Sequence, residues 1–326
     1  MSTSPPRVKR EHYVPKFYLR EWATGESLQV FDKALGRQFP QNIKNICSAR
    51  AFYDDGELDT LVGEPQSFES FFRSFEESGA KVIRELLDSI RAGSFSVVST
   101  PARVDLAIFI AIQQLRTKKA RGVTGDLMEA VAKKQFLAHM RLTQPDLPIE
   151  QSWLEMEADE RARFAAQLHL VRDEETRVSM STVFFNRHWW FLQNRTAQPF
   201  YTSDHPIVED GEVTPEASLL AATLAVNAAS KSGAAGIFGR LLPILLTGMF
   251  KVGPIVALPL APDVMLLMLD RAKYTNCASL DGQLQNMLNE TDLEFYNGLQ
   301  VLQSHRRVYS SDADFDLATR IQSAQG

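Results

Sequence analysis

Apolar positions recur at helical spacing most clearly over residues 65–91. Phe68, Phe71, Phe72, Phe75, Gly79, Val82, Ile83, Leu86, Leu87 and Ile90 share one face, which predicts a long amphipathic helix stopped at Gly93. Thr100 and Pro101 predict a capped start for the next helix. Its body, residues 104–115, is apolar almost all round, so it is expected to be buried and central. Two further helices are expected near 126–141 and 149–181, divided by the loop 144–148. From His188 the apolar runs shorten. Residues 189–192, 199–202, 255–258 and 264–267 predict strands, and a last helix over about 280–308 is expected to end the core.

Ahead of the long helix, Pro15 opens a predicted short helix over 16–22. Leu28 to Phe31, then Gly36 and Phe39, predict a hairpin. Asn42 is a candidate cap for a short helix carrying Ile43, Ile46 and Cys47, and residues 52–56 read as a turn. A helical middle flanked by strands predicts an α+β fold, predominantly helical, with a mainly antiparallel sheet formed largely by the C-terminal half.

Composition changes this picture little and narrows function more. The 326 residues, 44% hydrophobic and 23% charged, suit a single composite domain with a flexible tail over 1–11. A formal net charge of −5 excludes a general nucleic-acid coat and leaves room for a local basic cleft. Two cysteines, Cys47 and Cys277, are too few for a disulfide framework or a structural zinc site. Free thiols and an opening segment with no apolar signal stretch lead us to expect a cytoplasmic protein. Residues 217–250 form an apolar insert, with helices expected over 218–229 and over 236–246, the second broken at Pro243. Neither reaches the roughly 20 residues of a membrane span. A buried hairpin or an oligomer contact is expected there. Interfacial membrane contact is the alternative, since Arg240 and Lys251 flank the second helix.

Four places carry candidate chemistry. The run His12-Tyr13-Val14-Pro15-Lys16-Phe17-Tyr18-Leu19-Arg20 is dense in aromatic and basic groups. His12 precedes a helix N-terminus, where anions bind, and an imidazole suits acid/base work; alternatively it plugs the N-terminal arm into a groove. Gln113, Arg116 and Thr117 share a face at the end of the buried helix. Arg116 offers a planar fork for phosphate or carboxylate, or else pairs with a neighbouring acid. Glu76 flanks the apolar stripe whereas Glu77 points away, so Glu76 reaches a cleft or forms a rim ion pair. Asp204, in Thr202-Ser203-Asp204-His205-Pro206, accepts a proton, binds a metal or orients His12, or simply ends its strand in an Asx-turn. Phosphate loops, dinucleotide fingerprints, zinc spacings and nucleophile elbows are missing from the sequence.

Taken in order, His12 to Arg20, Phe52-Tyr53-Asp54, Glu76, Gln113 to Arg116, Ser203 to Pro206, Pro259-Leu260-Ala261-Pro262 and Asn297 to Gln300 resemble domain of unknown function 4238. The resemblance spans nearly the whole chain. It implies one composite domain and supplies no established activity. It also implies that His12, Arg20, Glu76, Gln113, Arg116 and Asp204 belong to one polar set, expected to converge on a cleft.

On that expectation the chain is a hydrolase acting on a phosphate-containing substrate, a nuclease or nucleotide phosphodiesterase, with a role in defence. His12 serves as general acid or base, Arg20 and Arg116 clamp the anion, and Gln113 and Tyr13 position substrate. Glu76 and Asp204 orient the histidine or hold a divalent metal such as Mg or Mn. The competing expectations are a non-catalytic module that binds or senses an anionic ligand, and a membrane-associated effector acting through the apolar insert. Oligomeric state is open.

Overall fold

The computed structural model describes residues 10–50, 52–53, 67–144, 160–213 and 251–325. Residues 54–56 of the turn expected at 52–56, the start of the helix expected from 149, and both helices of the apolar insert lie outside the described residues.

The chain enters as a short strand, β1 (Arg10–His12), followed by helix α1 (Lys16–Leu19) with Pro15 at its N-cap. Strands β2 (Ser27–Asp32) and β3 (Arg37–Asn42) form the expected hairpin. Its turn uses Gly36 at φ +59°, a conformation that favours glycine. Asn42 caps as expected, accepting from the Lys44 N–H at 2.9 Å, but the element is a single 3-10 turn, Ile43–Asn45. Strand β4 (Ser48–Arg50) then returns antiparallel to β1.

The Phe-rich stripe folds into α2 (Ser67–Arg91), which ends before Gly93. Helix α3 (Thr100–Leu115) lies across it. At Gly79 the two helices come so close that a Cβ would stand 2.6 Å from the Phe109 ring, so only glycine fits. The α3 cap is Ser99 rather than Thr100, with Pro101 in the first turn. The expected body of α3 is buried from Leu106 onward, with Ile108 half-buried, whereas Val104 and Asp105 are exposed. Helix α4 (Lys118–Thr143) starts eight residues earlier than its apolar pattern suggests, because Thr117 Oγ1 accepts the Ala120 N–H at 3.2 Å and caps it. The helix expected over 149–181 is divided: α5 (Glu160–Arg172) stops, and Asp173 caps a separate α6 (Glu174–Phe185).

Strands β5 (His188–Asn194), β6 (Thr202–Ser203), β7 (Val208–Val213), β8 (Lys251–Ala261), β9 (Val264–Leu269) and β10 (Gln283–Met287) follow. Five of them form a sheet in the order β10-β5-β9-β8-β7, antiparallel except for the β10–β5 pair. All six residues of β9 are buried. Val264, Leu266 and Met268 pack into the core shared with α2 and α3, whereas Met265 and Leu267 pack against Leu293 and Leu299 of α7 (Glu290–Gln303). Both faces of the sheet are covered, hence the unbroken apolar run. Pro259 is tolerated in β8 because it sits at a register shift.

The helix expected over 280–308 is thus a correction. Its first residues pair with β5 as β10, Asn289 caps α7, and the chain leaves α7 into β11 (Arg307–Ser310) before a last helix, α8 (Asp316–Gln325). Strand β11 joins the N-terminal hairpin to β6 in a second sheet, β3-β2-β11-β6. The fold is α+β, predominantly helical with mainly antiparallel sheets. The larger sheet comes from the C-terminal half, and the smaller draws two strands from the start of the chain. Among the described residues no helix is long and apolar enough to cross a membrane.

Candidate functional site

The opening motif is held through its backbone. The Tyr13 N–H donates to the Cys47 carbonyl at 2.8 Å, and the Tyr13 carbonyl accepts from Gln113 Nε2 and Arg116 Nε, each at 3.0 Å. Arg116 Nη2 donates to the His12 carbonyl at 3.1 Å, and Nη1 pairs with Glu76 Oε1 at 2.7 Å. The guanidinium also lies over the Phe72 ring and is only 1% exposed. Five of the expected residues therefore meet: His12, Tyr13, Glu76, Gln113 and Arg116. They meet as a closed clamp on the N-terminal arm, and Arg116 has no face left for an anion.

Arg20 stands apart from this cluster. It is 58% exposed and only 3.9 Å from Glu26, because the turn that carries it buries Trp22 and directs Arg20 outward. Burial lowers the His12 pKa to about 4, so its neutral ring donates from Nε2 to the Ile43 carbonyl at 3.3 Å.

Asp204 makes no Asx-turn. Its buried carboxylate accepts the backbone N–H groups of His305 at 2.8 Å, Arg306 at 2.9 Å and Arg307 at 3.0 Å, which pins the turn between α7 and β11. Burial lifts its pKa while those three donors pull the other way. Glu76 and Asp204 thus direct their oxygens to different partners. Among the described residues no group of three or more His, Cys, Asp or Glu is arranged to hold a metal ion.

The neighbouring His205 is also buried, which drives its pKa down to about 3. Thr117 Oγ1, which accepts the Ala120 N–H, also shares a hydrogen bond with His205 Nδ1 at 2.8 Å. The depressed value sets the sign of a pH effect. The unfolded chain takes up the proton first, so stability is intact above pH 6.5 and lost as pH falls toward 3. At pH 5 this one imidazole should remove about 2 kcal/mol. His12 acts in the same direction, and Asp204 opposes both. Urea midpoints at pH 7.5 and pH 5 should therefore fall further for wild type than for His205→Gln; equal falls would contradict a neutral buried imidazole.

One layer in front of the clamp lies a cavity of about 480 Å³. Ala49, Arg50 and Phe52 form one wall, Lys118, Arg121 and Gly122 from the start of α4 another, Glu160 and Arg163 from the start of α5 a third, and His305 completes it. The expected site residues support this cavity from behind. Strand β1 pairs with the β4 strand that carries Arg50, the Lys118 ammonium lies 5.6 Å from the Tyr13 ring centre, and Asp204 holds the His305 backbone.

Its cations divide into two kinds. Arg121 lies between the Phe52 and Phe164 rings and donates to Gln167 Oε1 at 2.7 Å and to the Phe52 carbonyl at 3.0 Å. Arg163 is ion-paired with Asp126 and Glu129. Arg50 and Lys118 have no ion pair among the described residues, and the imidazole of His305 is exposed. Helix α4 also carries no acid in its first turn, only Lys118, Lys119 and Arg121. Positive side chains there oppose the helix dipole, an arrangement that an anion relieves.

Of these pocket residues the sequence pattern marked only Phe52, in the turn expected at 52–56. Lys118, Arg121 and Gly122 do fall on one helical face directly after Arg116, a signal that was present. Arg50, Glu160, Arg163 and His305 are brought in only by folding.

No curated protein and no solved structure matches the chain. The family model described as "Protein of unknown function (DUF4238)" matches residues 10–314, from the first strand to just before the last helix. That match takes in the clamp, the Asp204 turn and every wall of the cavity, and the chain belongs to the DUF4238 family.

Proposed function

We propose that this protein captures a phosphate-bearing small ligand in the basic cavity, and that binding rather than turnover is its primary act. One observation carries this reading. In a chain of net charge −5, Arg50 and Lys118 face a cavity at the positive end of α4 without a neutralising partner among the described residues. Positive charge that outweighs the single acid lining the cavity, Glu160, is the usual signature of an anionic ligand in a small concave site. The volume lies in the range, about 300–1,000 Å³, that small organic ligands occupy. A cytoplasmic setting belongs to the same reading, since both cysteines are free thiols.

Phosphoester hydrolysis is the second reading, and His305 is what favours it. An exposed imidazole on a basic cavity that accepts a phosphate is placed to transfer a proton. The clamp residues are engaged with one another and would act only by holding the walls.

Titration calorimetry with inorganic phosphate at low salt tests the main reading. Wild type should bind, Lys118→Glu should bind at least tenfold more weakly, and the affinity should fall as salt rises. Absence of binding in wild type, or equal binding by the variant, would overturn it. Release of nitrophenol from bis(p-nitrophenyl) phosphate, abolished by His305→Ala while phosphate still binds, would establish the second.

A further inference from the structure

We infer that the ligand is a sugar phosphate or mononucleotide, with its phosphate held by Lys118, Arg50 and His305 and a hydroxyl of its sugar donated to Glu160. This rests on the anion-binding reading and adds a chemical class to it. The donors sort themselves by commitment. Arg121 and Arg163 are engaged by protein acceptors and so shape the wall and its field. Lys118 and Arg50 offer ammonium and guanidinium N–H groups with no acceptor among the described residues, so they are what a phosphate meets.

Glu160 decides what the rest of the ligand must be. Glu160 lines the same cavity and forms no hydrogen bond or ion pair among the described residues, although three guanidinium groups, Arg50, Arg121 and Arg163, line that cavity with it and Arg121 feels its charge. Ionised, it only accepts hydrogen bonds, and it repels a second anionic group. A bare polyanion would set negative charge against it. A ligand whose far end is a neutral hydroxyl donor satisfies it instead. Size agrees, because the cavity of about 480 Å³ is far larger than one tetrahedral oxyanion. On the α4 wall a Cβ at Gly122 would find no atom within 4 Å, so that side is open for the body of the ligand.

Ribose 5-phosphate carries the chemistry that sugar phosphates and mononucleotides share, and inorganic phosphate is its truncated control. By calorimetry, wild type should bind ribose 5-phosphate at least tenfold more tightly than inorganic phosphate. Glu160→Ala should bind inorganic phosphate as well as or better than wild type, since a negative charge is gone, while the advantage of the sugar phosphate shrinks about tenfold with the lost charge-assisted hydrogen bond. Lys118→Met should weaken both ligands tenfold or more. Equal binding of the two ligands by wild type, or an undiminished advantage in Glu160→Ala, overturns this inference and leaves anion capture standing. Failure of wild type to bind either ligand, or indifference of both to Lys118→Met, overturns anion capture itself.

Discussion

Replacing Arg116 with methionine should destabilise the protein by about 3–5 kcal/mol, the range for removing one partner from a buried charged network. The methionine fills part of the volume and leaves the acceptors behind. The carbonyls of His12 and Tyr13 lose their guanidinium donors, and Glu76 loses its counter-ion. Lysine should recover little, because a single ammonium cannot reach three acceptors spread around a planar fork. The loss should appear as a lower urea midpoint, together with faster proteolysis near residue 12 as the arm loses its anchor. A midpoint within 1 kcal/mol of wild type would show that the clamp adds nothing to stability.

Asp204→Ala should cost on the order of 2–4 kcal/mol, because three backbone N–H groups lose a charged acceptor together. Asp204→Asn keeps one acceptor oxygen and should fall between alanine and wild type. The change should also be felt in the cavity, since the turn it frees carries His305. Phosphate affinity, measured below the unfolding transition, should therefore drop several-fold in Asp204→Ala although Asp204 does not line the cavity. Retained affinity in a destabilised variant would separate the turn from the site. A stability equal to wild type would refute the role of the carboxylate as an anchor.

These two residues show what kind of signal the opening motif and its distant partners are. Their density in polar groups was legible, and so was the alternative that Arg116 pairs with a neighbouring acid. The direction of the contacts was not. A guanidinium at the end of a buried helix presents the same sequence whether its acceptors are a ligand's oxygens or the carbonyls of the chain's own first strand. Only the docked arm decides between them. Arg20 illustrates the converse: it belongs to the same motif, yet one turn of geometry sends it to the surface.

Secondary structure divides along a similar line. The α2 stripe, the buried α3, the first hairpin and the wholly apolar β9 followed from local periodicity, because each buries a face that its own sequence defines. Residues 283–287 did not. Their composition permits helix or strand, and pairing with β5 decides. The break at Asp173 turns on a single cap, and the early start of α4 on another at Thr117.

By itself, then, the sequence determined the α+β class, the main core elements, the family signature and a set of candidate polar residues, since all of these rest on patterns local in the chain. The tertiary structure alone decided that five of those residues form a clamp, that Arg20 and Asp204 stand outside it, and that the basic cavity lies in front of it. The cavity is assembled from β4, the first turns of α4 and α5 and the turn after α7, and no local pattern records which side chains from four separate segments will face one space.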